Sequence, residues 1–282
     1  MKLKKFFKFL GIISCLIVLA LYFLFSYFTQ PKSDKKILEK FEEVGVNIEL
    51  KNEQFQDFNY RKLQIKNNYS LPTIVFVHGA IGSCIDFFEY MVDDDLKSRA
   101  NFISYDRVGY NYDDENNVQE SIGFERDMLQ TITKNLDNKN TILVGYSYGG
   151  PIALADFNPY KKVILLAPAV YSKVEPMPWM INFYNWKLTR WLVPDVWQQA
   201  SKEKLTHRED LMKFESNWKN NPNSIISIHG DDDSIVHYEN SKYLESQFSK
   251  DQFELITIPD AGHSLVWSEF GFIKQQILKQ LD

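Results

Sequence analysis

Cysteine is scarce in this chain: Cys15 and Cys84 are the only two. Cys15 lies inside an apolar stretch, so a disulfide between them does not fit, and no CxxC pair or Cys/His metal spacing occurs. The redox compartment is therefore not fixed, but disulfides do not hold this fold. Basic charge is also short. Lys and Arg total 32 against 37 Asp and Glu, a net charge of -5, which gives no electrostatic case for a nucleic-acid partner. Internal repeats and low-complexity tracts are absent. What is present is 282 residues with 44% hydrophobic and 24% charged side chains, which suits one large domain or two small ones with a sizeable core.

Residues Phe9 to Phe28 carry no charge. As a helix, this run of about twenty rises roughly 30 Å, the thickness of a bilayer hydrocarbon core. Lys2, Lys4, Lys5 and Lys8 precede it without an acid; Lys32, Lys35 and Lys36 follow, offset by Asp34. That bias favours a cytoplasmic N-terminus and an extracytoplasmic remainder. Small residues of a signal cleavage site are missing around Ser26. Ile12-Ile13-Ser14-Cys15 resembles a lipidation box, but the apolar run before it is short. The expectation is an uncleaved, single-pass signal anchor over residues 1–30 in the cell membrane, a polar juxtamembrane linker over 31–50, and a catalytic domain over 51–282.

In that domain a five-residue apolar run repeatedly ends in Gly, Asp, His or Ser. Thr73 to Val77 precedes His78-Gly79, Asn101 to Tyr105 precedes Asp106-Arg107, and Thr141 to Val144 precedes Gly145-Tyr146-Ser147. Lys162 to Leu166 precedes Ala167-Pro168, Ser224 to Ile228 precedes His229-Gly230, and Phe253 to Ile258 precedes Pro259-Asp260. Such runs suit strands buried on both faces. Helical stretches between them, Ser121 to Leu136 and Gly149 to Phe157 among them, predict an α/β fold: a mostly parallel central sheet flanked by helices. Earlier strands within Phe55 to Lys66 would pair at the sheet edge. In such sheets ligands bind beyond the carboxyl ends of the strands, where every chemically suggestive residue falls. Between Leu166 and Ser224 lie five of the six tryptophans. That stretch is too long for a plain crossover and reads as a helical cap over 168–222. Its tryptophans suit either an apolar acyl group or simple packing of the cap.

Gly145-Tyr146-Ser147-Tyr148-Gly149 fits the G-x-S-x-G nucleophile elbow, which needs small residues two before and two after the serine because their Cβ atoms would collide across the turn. Pro151 sits in the first turn of the following helix, where a missing N–H costs little. A serine needs a base. Of five histidines, His263 follows the last strand, and the order Ser, acid, His suits this turn type. His207 reads as a surface residue of the cap; His78 and His229 read as loop-holding; His237 is the weakest rival base. The base needs a carboxylate, and Asp231, Asp232 and Asp233 all stand in one loop. Residue chemistry alone does not choose among them. Asp260 reads as a turn cap.

His78-Gly79-Ala80, Tyr105 to Tyr110, Gly145 to Gly150, Gly230-x-x-Asp233-x-x-Val236 and Gly262-His263 together resemble the α/β-hydrolase superfamily, from about Lys51 onward. The resemblance implies an α/β-hydrolase fold, a triad of Ser147, Asp233 and His263, and an oxyanion hole from the backbone N–H groups of Tyr148 and Ala80, with Ile81 as the fallback. It makes Asp106 and Arg107 a structural ion pair. Tyr146 stands where a histidine is common, and Tyr110 and Tyr112 replace the usual small residues after the Asp-Arg pair. Cys84 lacks an elbow and reads as a packing residue.

The expected activity is that of a carboxylesterase- or lipase-like serine hydrolase that cleaves a small-molecule, ester-like substrate through an acyl-enzyme, without metal or organic cofactor. Acyl transfer or cofactor-free peroxidase chemistry on the same triad is the alternative within enzymes. A non-catalytic ligand-binding protein on this fold is the alternative outside them.

Overall fold

The computed structural model describes residues 2–281. Met1 and Asp282, the ends of the expected anchor and catalytic domain, lie outside the described residues, as do the side chains of Lys2, Lys4 and Lys5. Eight strands form one sheet: β1 (Glu49–Phe55), β2 (Phe58–Ile65), β3 (Thr73–Val77), β4 (Asn101–Tyr105), β5 (Thr141–Tyr146), β6 (Lys162–Leu166), β7 (Ile225–Gly230) and β8 (Phe253–Ile258). Their spatial order is β1-β2-β4-β3-β5-β6-β7-β8. β2 runs against both of its neighbours, and every pair from β4 across to β8 is parallel. The apolar runs of β3 to β7 are buried because helices cover both faces of the sheet. Two large cores result, with a smaller third cluster of Tyr110, Val118 and Val196. One large core holds Phe76, Phe102, Val144 and Ile228; the other holds Val75, Tyr105, Leu143 and Leu165.

Register sets the site. Val77 of β3 stands beside Gly145 of β5, Tyr146 beside Leu166 of β6, and Gly230 of β7 beside Ile258 of β8. The loops leaving β3, β5, β7 and β8 therefore emerge along one rim. The helix Ile122–Thr133 starts at Ser121, whose hydroxyl accepts from the Phe124 N–H at 3.2 Å. The segment between β6 and β7 carries helices at Ile181–Asn185 and Asp195–Phe214 with short turns between them.

Two N-terminal features stand out. The helix Lys2–Thr29 contains a stretch, Phe6–Thr29, long and apolar enough to cross a membrane and with no residue buried in the domain. The stretch read as a linker differs from that expectation. Asp34–Glu42 is a helix whose Ile37 and Phe41, one turn apart, are fully buried in the first core. Its flanking lysines and glutamates make the stretch read as polar, but two apolar residues at helical spacing are enough to dock it.

Candidate active site

Ser147 follows β5 on a sharp turn with φ of +53°. A left-handed conformation at a residue with a Cβ costs about 1–3 kcal/mol and persists only where the surroundings impose it. Here the Ser147 N–H donates to the Leu166 carbonyl at 2.9 Å, and its own carbonyl accepts from Gly150 at 3.0 Å and Ala169 at 3.2 Å. A Cβ at Gly145 would stand 2.5 Å from the Gly149 carbonyl oxygen, across the turn as expected. One at Gly149 would instead strike the Val77 carbonyl. The second glycine thus answers to the neighbouring strand, not to the turn.

His263 and Asp233 reach the same point from β8 and β7. The Ser147 hydroxyl lies 3.0 Å from His263 Nε2, and His263 Nδ1 lies 2.7 Å from Asp233 Oδ2. With Nδ1–H donating to the carboxylate, Nε2 is left as the acceptor for the serine proton. Asp233 is buried, and burial by itself would raise its pKa. The side chains of His229 and His263 and the Val236 N–H bond to it and bring it well below the usual carboxylate range. Its other oxygen accepts from the Ile235 and Val236 N–H groups at 2.9 and 2.8 Å. Asp231 and Asp232 are exposed, so only one of the three carboxylates turns inward. The Asp260 side chain makes no capping hydrogen bond among the described residues; the residue occupies a left-handed turn, and its N–H donates to Asp231 at 2.7 Å.

The loop after β3 runs beside the serine, since a Cβ on Gly79 would stand 3.4 Å from Ser147 Oγ. His78 fixes that loop. Its Nδ1–H donates to the Gly79 carbonyl at 2.7 Å, and its Nε2 accepts from the Arg107 N–H at 3.0 Å. Burial and the nearby Arg107 charge hold this imidazole neutral. Among the described residues, the N–H groups of Ala80, Ile81 and Tyr148 meet no protein acceptor. No group of three or more His, Cys, Asp or Glu side chains among the described residues could hold a metal ion.

A family model for the alpha/beta hydrolase fold matches residues 72–225, more than half of the chain. The chain belongs to this family. No curated protein matches the sequence. Among solved structures, the hydrolase is similar to a membrane phospholipase A described as a bacterial virulence factor. The two share 14% identity with a TM-score of 0.65, over 97% of each chain. It is also similar to an esterase from Exiguobacterium antarcticum (15%, TM-score 0.62, 84% of this chain and 99% of that one). A third likeness is to naproxen esterase from Bacillus subtilis (16%, TM-score 0.59, 89% and 99%). At these identities the likeness is one of fold.

The hydrolase places several expected residues differently. Asp106 and Arg107 do not pair with each other. Asp106 accepts from Arg61 Nε and from the Cys84 N–H, both at 2.6 Å. Arg107 pairs with Glu203 of the Asp195–Phe214 helix, lies 3.9 Å from Glu125, and stacks on Tyr148. Adjacent residues leaving a strand point to opposite faces, so each needs its own partner. The expected single pair is two pairs, one fixing the N-terminal side and one fixing the segment between β6 and β7. His207 is not a surface residue. It is buried on the same helix, 3.1 Å from the Ala169 carbonyl and against the Tyr148 ring. Its i, i+4 relation to Glu203 puts both on the helix face turned to the sheet, a signal present in the sequence. His78 and His229 do hold loops, the latter bonding Ser241 and Val236. Cys84 is buried, and burial pushes its thiol pKa up.

Proposed function

We propose that this chain is a membrane-anchored serine hydrolase that cleaves ester-like substrates through an acyl-enzyme. The observation that carries the reading is the unbroken relay from Ser147 Oγ through His263 to Asp233, at 3.0 and 2.7 Å. Ser147 attacks the carbonyl carbon as its proton passes to His263 Nε2. The oxygen that takes up the charge is held by the Tyr148 and Ala80 N–H groups, which have no protein acceptor of their own among the described residues. The protonated His263 then gives its proton to the leaving alcohol, and water repeats the sequence in reverse roles to free the acid. Asp233 stabilises the imidazolium throughout. Each N–H donor in such a hole contributes about 3 kcal/mol to the transition state.

The anchor is residues 1–30, with the N-terminal lysines on the cytoplasmic side and the catalytic domain outside the cell membrane. The helix Asp34–Glu42 joins the domain, and 168–222 is its cap.

A fluorophosphonate probe on the full-length protein tests the reading. Wild type should be labelled, and Ser147→Ala should not. Labelling that persists in the variant would remove Ser147 as the nucleophile. Turnover of p-nitrophenyl esters of rising chain length then reports the acyl preference.

A further inference from the structure

Three tryptophans of the cap are largely exposed, and the contacts two of them make, Trp179 with Phe183 and Trp191 with the Leu188 carbonyl, stay within the same segment. Trp179, Trp186 and Trp191 are 70%, 61% and 72% exposed, and Met180, Phe183 and Leu188 between them are also exposed. Only Trp218 of the cap tryptophans is fully buried. A run of large apolar side chains facing outward in one short segment marks an interaction surface rather than ordinary surface variation. Its charges are equally one-sided. From Met177 to Leu192 the only ionisable acids or bases of fixed sign are Lys187 and Arg190, with no acid, in a chain whose net charge is -5. Aromatic side chains with a few cations are what the headgroup layer of an anionic bilayer selects.

The long N-terminal helix sets the height of this surface. Phe25 meets Trp197, at the start of the Asp195–Phe214 helix, with ring centroids 5.5 Å apart. Phe25 lies four residues before Thr29, or about 6 Å inside the end of the apolar span. Tyr22, Ser26 and Thr29, spaced along one helix face, are partly shielded, while the rest of that stretch is exposed. The cap is therefore level with the last turns of the span. The domain cannot swing freely away from the end of that helix, because Arg61 Nη1 donates to the Lys32 carbonyl and to Asp34, each at 2.8 Å, while Arg61 Nε holds Asp106. The cap is tied to the sheet in turn by Arg107 and Glu203. On its inner side Trp197 packs into a cluster with Tyr110, Val118, Val196 and Ile81, the residue after Ala80. Membrane edge, cap and the loop beside Ser147 form one continuous line.

The geometry points to the segment Met177–Leu192 as a second membrane contact, seated in the anionic headgroup layer beside the anchor, through which long-chain acyl lipids reach the site directly from the bilayer. The substrate class deepens the proposed hydrolase function and rests on it; the seating of the cap rests on the anchor alone.

The test uses the full-length protein in vesicles of phosphatidylcholine and phosphatidylglycerol, with or without bromine on the acyl chains. Bromine quenches tryptophan fluorescence only at close range. Wild type should be quenched, and the combined variant Trp179→Ser, Trp186→Ser, Trp191→Ser should lose most of that quenching. Leu188→Asp, which keeps every tryptophan, should also lower it by lifting the segment out. Circular dichroism checks that both variants are folded. Equal fractional quenching in wild type and both variants would overturn the proposal. So would an unquenched wild type that cross-links through Lys187 into dimers, which would assign the face to a second copy. Quenching requires no turnover, so it stands apart from the fate of Ser147. For substrate class, the rate on a long-chain ester in the bilayer divided by that on a short soluble ester should fall about tenfold in the combined variant, equivalent to about 1.4 kcal/mol. An unchanged ratio would remove the bilayer route.

Discussion

The Tyr146 ring lies nearly parallel to the His263 imidazole, with centroids 5.2 Å apart and planes at 28°, and its hydroxyl donates to the His263 carbonyl at 2.9 Å. One residue thus holds both the ring and the backbone of the proposed base, and Trp267 closes on Tyr146 edge-on at 5.5 Å. Tyr146→Phe keeps the stack and should lower kcat only several-fold. Tyr146→Ala loses both contacts and should lower it about 100-fold, the scale of a 1 Å misplacement. Ester turnover by the two variants across pH separates positioning from a folding defect. Equal losses in both would show that the stack does nothing.

Asp233→Asn should lower kcat by about 10⁴, because an amide allows the wrong His263 tautomer. The wild-type carboxylate also shapes stability. Its folded pKa lies below the unfolded value, so its contribution is full above about pH 4 and is lost progressively below it, down to the lower folded value. Acid titrations followed by circular dichroism should show wild type losing this advantage over Asp233→Asn steadily as pH falls below about 4.

Glu125 carries the opposite sign. Burial pushes its carboxyl up to about 7, against the pull of Arg107, and neither of its oxygens has a hydrogen-bond partner among the described residues. A carboxyl raised in the fold lends its relative stability below the unfolded value and loses it as pH climbs to the folded one. Between about pH 4.5 and 7, wild type should therefore lose about 3 kcal/mol relative to Glu125→Gln. Urea melts at the two pH values would show this, and parallel curves would refute it.

Glu203→Ala should be costly, because it leaves the buried Arg107 guanidinium facing only Glu125 at 3.9 Å. Stripping one partner from a buried pair costs about 3–5 kcal/mol, whereas replacing both by apolar residues is near neutral. The double variant Arg107→Met, Glu203→Leu should recover most of the loss in melting temperature. The contrast between single and double variants identifies this pair as what clamps the segment between β6 and β7 onto the sheet.

Local pattern was enough to read the sheet and the rim. Each strand from β3 to β8 is a short apolar run with its chemistry at the carboxyl end, and Ser147, Asp233 and His263 each leave a different strand. By contrast β1, Glu49–Phe55, is polar along the sheet edge and begins before the Phe55 to Lys66 stretch in which edge strands were expected. What the pattern could not supply is partner choice between distant residues. Arg61 and Arg107 reach Asp106 and Glu203 from far along the chain, and nothing in their own neighbourhoods names those carboxylates. The same limit hid the docking of Asp34–Glu42 and the burial of His207. The tryptophans were visible by type, but whether they face inward or outward depends on how the segment between β6 and β7 lies, which composition does not encode.

Arg61 has one more effect. Because its guanidinium ties the residues just after the long helix to Asp106 at the sheet, the domain inherits the tilt of that helix. A bilayer that thickened or thinned enough to lean the helix would turn the mouth of the cleft by the same angle. In the membrane-anchored arrangement proposed above, hydrolysis would then answer to the mechanical state of the bilayer as well as to the lipids within it.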